Sequence, residues 1–457
     1  MMGNYAIILA AGKGTRMKSS LYKVMHKVCG KAMVEHVISH VEKVGMDNIV
    51  TIVGCGADAV QELLQERSEY ALQTEQLGTG HAVKQAKSLL GDKKGTTLVI
   101  CGDTPLITEE TIQSVMTHHQ ESGAKATILT AYANNPSGYG RVVRNQEGFV
   151  EKIVEHKDAN QEELLIQEIN TGTYVFDNEA LFETLEKVTN DNAQGEYYLP
   201  DVIEILKQEG HTVSAFQMKD IEESLGVNDR VALAQAERLM RQRINTYHMQ
   251  QGVSLIDPSS TYIDSDVVIG EDTIIEPNVL IKGKSIIGKQ CFIGMGSEIV
   301  DTIIGNQVNV RSSCLEQSTI DSGVDIGPMA HIRPNSVLGS HVHVGNFVEI
   351  KNSIIGSETK MGHLTYIGDA VLGERINVGC GTIVVNYDGK NKHRSTIGSD
   401  SFIGCNANLV SPVHIGNGAF IAAGSTITQD VPDDALAIAR SRQENKLHYV
   451  EKLPHKK

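Results

Sequence analysis

The 457-residue sequence contains no tryptophan, and aromatic residues make up only 5% of it. Large rings therefore fill little of its interior. Its seven cysteines (Cys29, Cys55, Cys101, Cys291, Cys314, Cys380, Cys405) form an odd, scattered set without a C-x-x-C pair, which argues against both a disulfide framework and a zinc site. A reducing cytoplasm is the expected location. Positive charge is in deficit, with 41 Lys and Arg against 56 Asp and Glu and a formal net charge of −15. An overall basic field for nucleic acid is thereby excluded, and anionic substrates must be gathered by local cations. No apolar run approaches the ~18 residues of a membrane-spanning helix, and Met1–Ala11 lacks the basic region of a signal peptide. Glycine is what the chain has in excess, 43 residues in all. The length suggests two or three domains at roughly 100 to 200 residues each.

Two textures divide the chain. In residues 1–228, β-rich runs (Ala6–Ala10, Ile49–Val53, Thr97–Cys101, Thr127–Ala131, Thr171–Phe176) alternate with helical patterns (Met33–Val44, Gly56–Gln65, His81–Leu89). That alternation predicts an α/β, Rossmann-like domain with a mostly parallel sheet and ligands at the strand carboxyl ends. Asn228 and Asp229 can cap a connecting helix over 229–251, whose apolar positions Val231, Ala234, Leu239, Ile244 and Tyr247 suggest one packed face. From residue 252 to 437, an aliphatic residue followed by Gly recurs at intervals that are mostly multiples of six or one short, from Ile269-Gly270 to Ile415-Gly416. This is the hexapeptide signature of a parallel β-helix, left-handed by expectation, in which the aliphatic side chain points inward and Gly supplies the turn conformation. Three hexads close a triangular coil, giving about ten coils before a tail over 438–457. The unusually long interval between Gly379 and Gly398 predicts a protruding loop over 386–394, equally a functional excursion or a solvated one.

The first strand runs into Leu9-Ala10-Ala11-Gly12-Lys13-Gly14-Thr15-Arg16-Met17, with Lys23 beyond. Gly12 and Gly14 permit close backbone approach to a phosphate, and Arg16 and Lys23 add charge-assisted contacts. By itself the loop is as readily a plain turn, since it matches neither the P-loop nor the dinucleotide fingerprint. Gln73, Gln76-Leu77-Gly78-Thr79-Gly80-His81, Cys101-Gly102-Asp103-Thr104-Pro105, Gly138-Tyr139-Gly140-Arg141, Ile153-Val154-Glu155, Glu168-Ile169-Asn170 and Val227-Asn228-Asp229 follow in order. Together these segments resemble the sugar-nucleotide pyrophosphorylase family, and with the repeats the resemblance covers nearly the whole chain. It implies uridylyl transfer, an in-line attack of N-acetylglucosamine 1-phosphate on UTP that yields UDP-N-acetylglucosamine and pyrophosphate. Leu9, Ala10, Ala11, Gly12, Lys23, Gln73, Gly78 and Thr79 would then hold the nucleotide, and Arg16 and Lys23 the phosphates and departing pyrophosphate. Gly140, Glu155, Asn170 and Asn228 would bind the sugar, while Asp103 and Asn228 would hold Mg²⁺. Taken singly, Asp103 is as well a turn former and Asn228 a helix cap.

In the repeat half, Arg333 and Lys351 stand three hexads apart, one coil period, so both can grip one phosphate. His363 lies two hexads further, two faces of the triangle on, so a site containing both needs a corner or a neighbouring subunit. Alone it is a surface histidine. The resemblance extends to Gly362-His363-Leu364-Thr365-Tyr366-Ile367-Gly368 and implies a second activity, acetyl transfer from acetyl-CoA to glucosamine 1-phosphate. His363 would be the base, Arg333, Lys351, Tyr366, Asn377 and Asn386 would bind the sugar phosphate, and Tyr387, Ala423 and Arg440 would meet acetyl-CoA. Cys380 and Cys405 are expected as small buried corner residues without a catalytic role. The family further implies a homotrimer serving cell-wall precursor synthesis. The alternative is a single-activity pyrophosphorylase with a β-helix used for oligomerisation or regulation.

Overall fold

A computed structural model describes residues 2–454; the end of the expected tail, 455–457, lies outside them. The chain forms two compact units, Met1–Met240 and Arg241–Lys457.

The first unit is built on a nine-stranded sheet whose main path runs Val213–Gln217, Ala126–Tyr132, Glu168–Asp177, Gly95–Cys101, Gly3–Ala10, Asn48–Val53, Glu69–Leu72. Gly3–Ala10 is central and pairs in parallel with both Asn48–Val53 and Gly95–Cys101. Its residues Ala6, Ile7 and Ile8 are fully buried, as expected of a strand covered on both faces. The chain builds outward on one side of this strand and then crosses to the other, so a switch point lies at the carboxyl ends of Gly3–Ala10 and Gly95–Cys101, where α/β sheets bind ligands. Glu168–Asp177 is antiparallel to its neighbours and bulges between Asn170 and Tyr174, with Gly172 at φ 81°. The helix over 33–44 forms as expected, whereas the pattern over 81–89 breaks into Thr79–Lys84 and Lys87–Leu90. The hairpin Arg141–Arg144/Val150–Val154, pairing beside Glu168–Asp177, is short and was not legible in the periodicity.

The connecting helix is Arg230–Gln250, and the division between the units falls within it. Asp229 is its cap, its Oδ1 accepting from the amides of Val231 and Ala232 at 2.9 Å. Asn228 does not cap it. The expected apolar face is packed only in part: Leu239 is buried and Ile244 packs against the β-helix core, whereas Val231, Ala234 and Tyr247 are exposed and Ala236, Met240, Asn245 and His248 complete the buried side. Polar anchors supplement the stripe. Glu237 accepts from the Cys29 amide at 2.7 Å, and Asn245 donates to the carbonyls of Pro258 and Thr261 at 2.7 and 3.0 Å.

The second unit is a left-handed β-helix of hexapeptide repeats. Short parallel strands from Ser254–Leu255 to Leu436–Ala437 stack with coil steps of three hexads or slightly fewer, as in Val268↔Ile286 and Glu298↔Cys314. Inward columns such as Ile275, Ile293, Val310, Ile326, Val344, Met361, Val378, Ile403 and Ile421 form a continuous aliphatic core. Buried Ser and Thr occupy the corners, and Thr273 Oγ1 donates to the Gly288 carbonyl at 2.8 Å.

The glycines play a different part from the one expected. Most of the left-handed residues other than glycine in this unit are Asn, Asp, Gln or His, such as Asn278, Asp301, Gln307 and His341, whose polar side chains tolerate that conformation. Most of the repeated glycines have ordinary φ and are required by the next coil. A β-carbon at Gly345 would lie 1.8 Å from the Gly362 carbonyl oxygen, and one at Gly288 would lie 2.4 Å from that of Gly305.

Candidate functional site

In the first unit the loop after Ala10 turns through Gly14, at φ 63°, into the short helix Thr15–Met17. A β-carbon on Gly14 would press on Lys23 Cβ at 2.6 Å, whereas one on Gly12 would meet nothing within 4 Å. Gly12 thus borders open space. That space is a cavity of about 240 Å³ lined by Leu9, Ala10, Ala11, Gly12, Lys23, Gln73, Gly78, Thr79 and Asp103. Gln76 and Cys101, from the motif segments, line it too, as does Glu196, which no pattern in the sequence singled out.

Polar contacts fix its walls. Gln73 is buried, its Nε2 donating to the Gly78 carbonyl at 3.2 Å and lying 3.1 Å from His81 Nδ1. Thr79 Oγ1 accepts from the Leu199 amide at 3.1 Å. Four of the expected site residues form one cluster: Lys23 donates to Asp103 Oδ2, and Asn228 Oδ1 accepts from Lys23 at 3.0 Å and from Arg16 at 2.9 Å. Two hard oxygens therefore converge on one ammonium, so the donor set suits a small divalent cation that would displace it.

Gly140, Glu155 and Asn170 stand together beside this cavity rather than in its lining. A β-carbon on Gly140 would lie 3.1 Å from Glu155 Oε1, and the Gly140 carbonyl accepts from the Asn170 amide at 2.9 Å. Asn170 Nδ2 donates to the Tyr174 hydroxyl at 2.6 Å. Burial, with Asp158 and Asp201 adding to it, raises the Glu155 pKa. Glu155 lines a second cavity of about 450 Å³ with Asp158, Tyr198 and Asp201. Cys101 joins the two regions: its Sγ lies 3.9 Å from the Gly172 carbonyl, and burial, with Asp103, pushes its thiol up to about 12. It is thus held as an unreactive thiol.

In the second unit, Arg333 Nη1 donates to Glu349 Oε1 at 2.6 Å. Its neighbour one coil on is Lys351, since Ile332 pairs with Ile350. The pKa of Lys351 is lowered, first by contact with Lys392 and then by burial and by Arg333. Lys392 sits on the 386–394 excursion, which stretches the local coil step, from Asn377 to its partner Phe402, well beyond three hexads. The excursion is largely exposed to solvent and carries its own hydrogen bonds. Asp388 accepts from the amides of Lys390 and Asn391 and from His393 Nε2 at 2.6 to 2.8 Å, contacts that hold its carboxyl far below the usual range. Tyr387 bridges back to Lys392. At its base, buried Asn386 donates to Asp369, which also accepts from Asn352. Tyr366 lies over Gly368, where a β-carbon would meet its hydroxyl at 2.4 Å and Asn386 Nδ2 at 2.8 Å.

His363 is across a corner from Lys351, as the spacing implied. The long strands His343–Lys351 and Lys360–Gly368 each bend at a left-handed residue, Phe347 and Leu364. His363 precedes the bend; Tyr366 follows it. The register pairs Asn346 with His363, and Asn346 Oδ1 faces His363 Nδ1 at 2.8 Å. Val378, Ile403 and Ile421 continue the same ladder, so the residues two positions on (His363, Cys380, Cys405 and Ala423) stack along one edge. Cys405 is exposed and Cys380 half-buried; the expected corner placement holds, but the expected burial does not, because these side chains point out of the coil. Arg440 Cδ lies near the end of this edge, 3.7 Å from a β-carbon built on Gly424. Asn377 is exposed on the His363 side of the corner, apart from the Arg333/Lys351 grip.

A sheet whose switch point opens on a glycine loop and paired cations, followed in the same chain by a hexapeptide β-helix with its own cluster of cations, defines a nucleotidyltransferase fused to a hexapeptide transferase. The nucleotidyl transferase family model matches residues 5–237, the six-repeat bacterial transferase hexapeptide model residues 266–301 and 394–429, and the GMPPB C-terminal domain model residues 314–389. The Bifunctional protein GlmU of Listeria monocytogenes is 58% identical over 457 residues, all of both chains. Those of Latilactobacillus sakei and Shouchella clausii are each 59% identical, covering 99% of this chain and 98% and 100% of their own. The chain belongs to the bifunctional GlmU family. It is therefore an acetyltransferase and uridyltransferase acting on sugar phosphate and nucleotide, and the single-activity alternative falls away. A divalent metal requirement comes with that family. Among the described residues no helix is long and apolar enough to cross a membrane.

Proposed function

We propose that the two clusters act as separate active sites: the β-helix site acetylates glucosamine 1-phosphate, and the sheet site then uridylylates the N-acetylglucosamine 1-phosphate. The observation that carries this is that each unit gathers its own set of cations, Arg16 and Lys23 in one and Arg333, Lys351 and Lys392 in the other.

In the uridylyl site, Leu9, Ala10, Ala11, Gly12, Gln73, Gly78 and Thr79 hold the nucleotide of UTP, with the loop amides turned toward phosphate oxygens. Gly140, Glu155, Asn170 and Asn228 orient the sugar so that its phosphate oxygen faces the α-phosphorus, in line with the departing pyrophosphate. Positioning and charge neutralisation supply most of the rate in such transfers. Arg16 and Lys23 take up the charge that builds on the leaving group. Mg²⁺, held by Asp103 and Asn228, would neutralise phosphate charge when bound, and Lys23 would then turn from Asp103 to the phosphates.

In the acetyl site, Arg333, Lys351 and Lys392 grip the sugar phosphate, Tyr366 and Asn386 border it, and Asn377 meets the sugar from the His363 side of the corner. Asn346 accepts from Nδ1–H of His363, which leaves Nε2 free as the acceptor. Nε2 removes a proton as the amine attacks the thioester carbonyl. Tyr387, Ala423 and Arg440 flank acetyl-CoA along the edge below His363. The expected assembly is a homotrimer in which a neighbouring subunit completes this site, and the expected setting is the cytoplasm, consistent with seven free cysteines.

The test is a double dissociation. His363→Ala abolishes CoA release from acetyl-CoA and glucosamine 1-phosphate and leaves UTP-dependent pyrophosphate release intact, while Asp103→Asn does the reverse. Equal loss of both activities in either variant overturns separate sites.

A further inference from the structure

The coil period brings together three residues that have no part in either reaction described above. Cys314 and Glu316 flank Leu315, which is fully buried, so both project outward from strand Cys314–Glu316. His331 lies directly opposite Cys314 in the next coil, at the ~4.8 Å spacing of paired strands. A ligating atom from each of the three lies within 4.8 Å of the others. His331 Nε2 is 3.1 Å from Glu316 Oε2, close to the ~3.4 Å that separates N and O ligands about 2.1 Å from a tetrahedral zinc ion.

We propose that Cys314, Glu316 and His331 form a binding site for a soft divalent transition metal of the zinc class on the wall of the β-helix. The mixed thiolate, imidazole and carboxylate set suits such an ion and not Mg²⁺, which takes oxygen ligands. Three protein ligands leave the fourth tetrahedral position to water. The side chains of Glu316 and His331 are each 41% exposed, so an ion can reach them. Glu298, one coil before Cys314, is occupied by Lys282 at 2.6 Å and is not the fourth ligand.

The local field favours a cation. Burial, Glu316 and Glu298 raise the Cys314 pKa against the pull of Lys282, so the free site holds a neutral thiol beside a hydrogen-bonded Glu316/His331 pair. The arriving ion takes the place of the thiol proton, which is released to solvent, and of the Glu316–His331 hydrogen bond. The site escaped the spacing rules because those rules read neighbours along a strand, whereas here His331 lies a full coil from Cys314 and Glu316 in the chain and is stacked beside them by the fold. Glu316 lies opposite Arg333 across the same two coils, since Leu315 pairs with Ile332. A bound ion would therefore sit one coil from the phosphate grip.

The test is a Co²⁺ titration of the full-length, reduced, chelator-stripped protein in excess Mg²⁺, which keeps the oxygen-ligand site filled. One equivalent should bind with the intense visible bands of a four-coordinate ion and a thiolate-to-cobalt charge-transfer band, and Zn²⁺ should discharge both. Cys314→Ser should remove the charge-transfer band, and His331→Gln should weaken binding roughly tenfold or more, with an unchanged thermal melt and retained acetyl transfer as the check that the β-helix is folded. Absence of the band in the native protein, or its survival in Cys314→Ser, overturns the proposal. A second measurement needs no variant: Zn²⁺ should protect Cys314 from alkylation, read by peptide mass spectrometry, and alkylation at an unchanged rate would equally overturn it.

Discussion

Lys392, carried on an excursion from the coil, stands against Lys351, and this contact is the largest of the effects that lower the Lys351 pKa. Two like charges stand side by side. The arrangement is favourable only when an anion arrives to share both. Lys392→Gln is expected to raise the KM for glucosamine 1-phosphate roughly fivefold, about 1 kcal/mol for one exposed charge contact, with little change in uridylyl transfer. The pH effect has a definite sign. A lysine with a lowered pKa loses its proton earlier as pH rises, so removing Lys392 should move the Lys351 titration upward. NMR of ε-carbon-labelled lysines reads this directly, and a Lys351 resonance that does not move would remove Lys392 from the pocket.

Gly12 and Gly345 should respond oppositely to one added methyl group. At Gly12 the methyl meets no protein atom within 4 Å, so Gly12→Ala should melt like the native protein. It should still raise the KM for UTP roughly tenfold or more, because the methyl occupies space needed by the nucleotide. At Gly345 the methyl collides with the backbone of the coil below. Gly345→Ala should cost about 1–3 kcal/mol or more as an overpacked core and should depress acetyl transfer, since Gly362 adjoins His363. Melting curves and the two assays together check the pair. A destabilised Gly12→Ala would show that the loop glycine serves the fold rather than the ligand.

These contrasts explain how much was legible in the sequence. The hexad period located the β-helix and placed Arg333 over Lys351, because a repeat converts distance along the chain into position in space. It also placed His363 across a corner. The period could not locate Lys392, which lies on the stretch that breaks it. Nor could it assign the glycines, whose need is set by the neighbouring coil and not by their own φ. In the first unit, the ordered motifs found most of the cavity lining. On the connecting helix periodicity located the element and part of its packed side, Leu239 and Ile244, but missed Glu237 and Asn245, which hold that side through hydrogen bonds that an apolar template does not count. Asn228 is the instructive case: it sits where a cap would sit, and Asp229 does the capping while Asn228 turns to Arg16 and Lys23.

Asp201 offers a pH test of the second cavity. Burial, with Glu204 and Asp158, raises its pKa from 3.8 to about 6. A carboxyl with a raised folded pKa contributes stability that is present below its unfolded pKa and is lost as pH rises toward the folded value. The window here is roughly pH 4 to 6. Asp201→Asn should therefore match the native protein near the bottom of that window and melt higher above it, the difference growing between the two limits. Thermal melts of the first unit at several pH values decide it. A difference independent of pH would mean that Asp201 is not the titrating group.

Asn346 and His363 define the last prediction. Asn346 Oδ1 faces His363 Nδ1 at 2.8 Å from the preceding coil, so it fixes the ring and directs Nε2 outward as a positioning residue. Asn346→Ala removes this support without removing the base. Acetyl transfer should fall about tenfold in kcat, a fraction of the roughly 100-fold or more that a positioned base supplies, with the KM for glucosamine 1-phosphate nearly unchanged. Asn346→Asp keeps an acceptor and adds a charge that stabilises the imidazolium. It should recover much of the lost rate at alkaline pH while moving the acid limb of the kcat/KM profile to higher pH, because the base is then protonated over a wider range. A purely structural role would lower both variants alike and leave that limb in place.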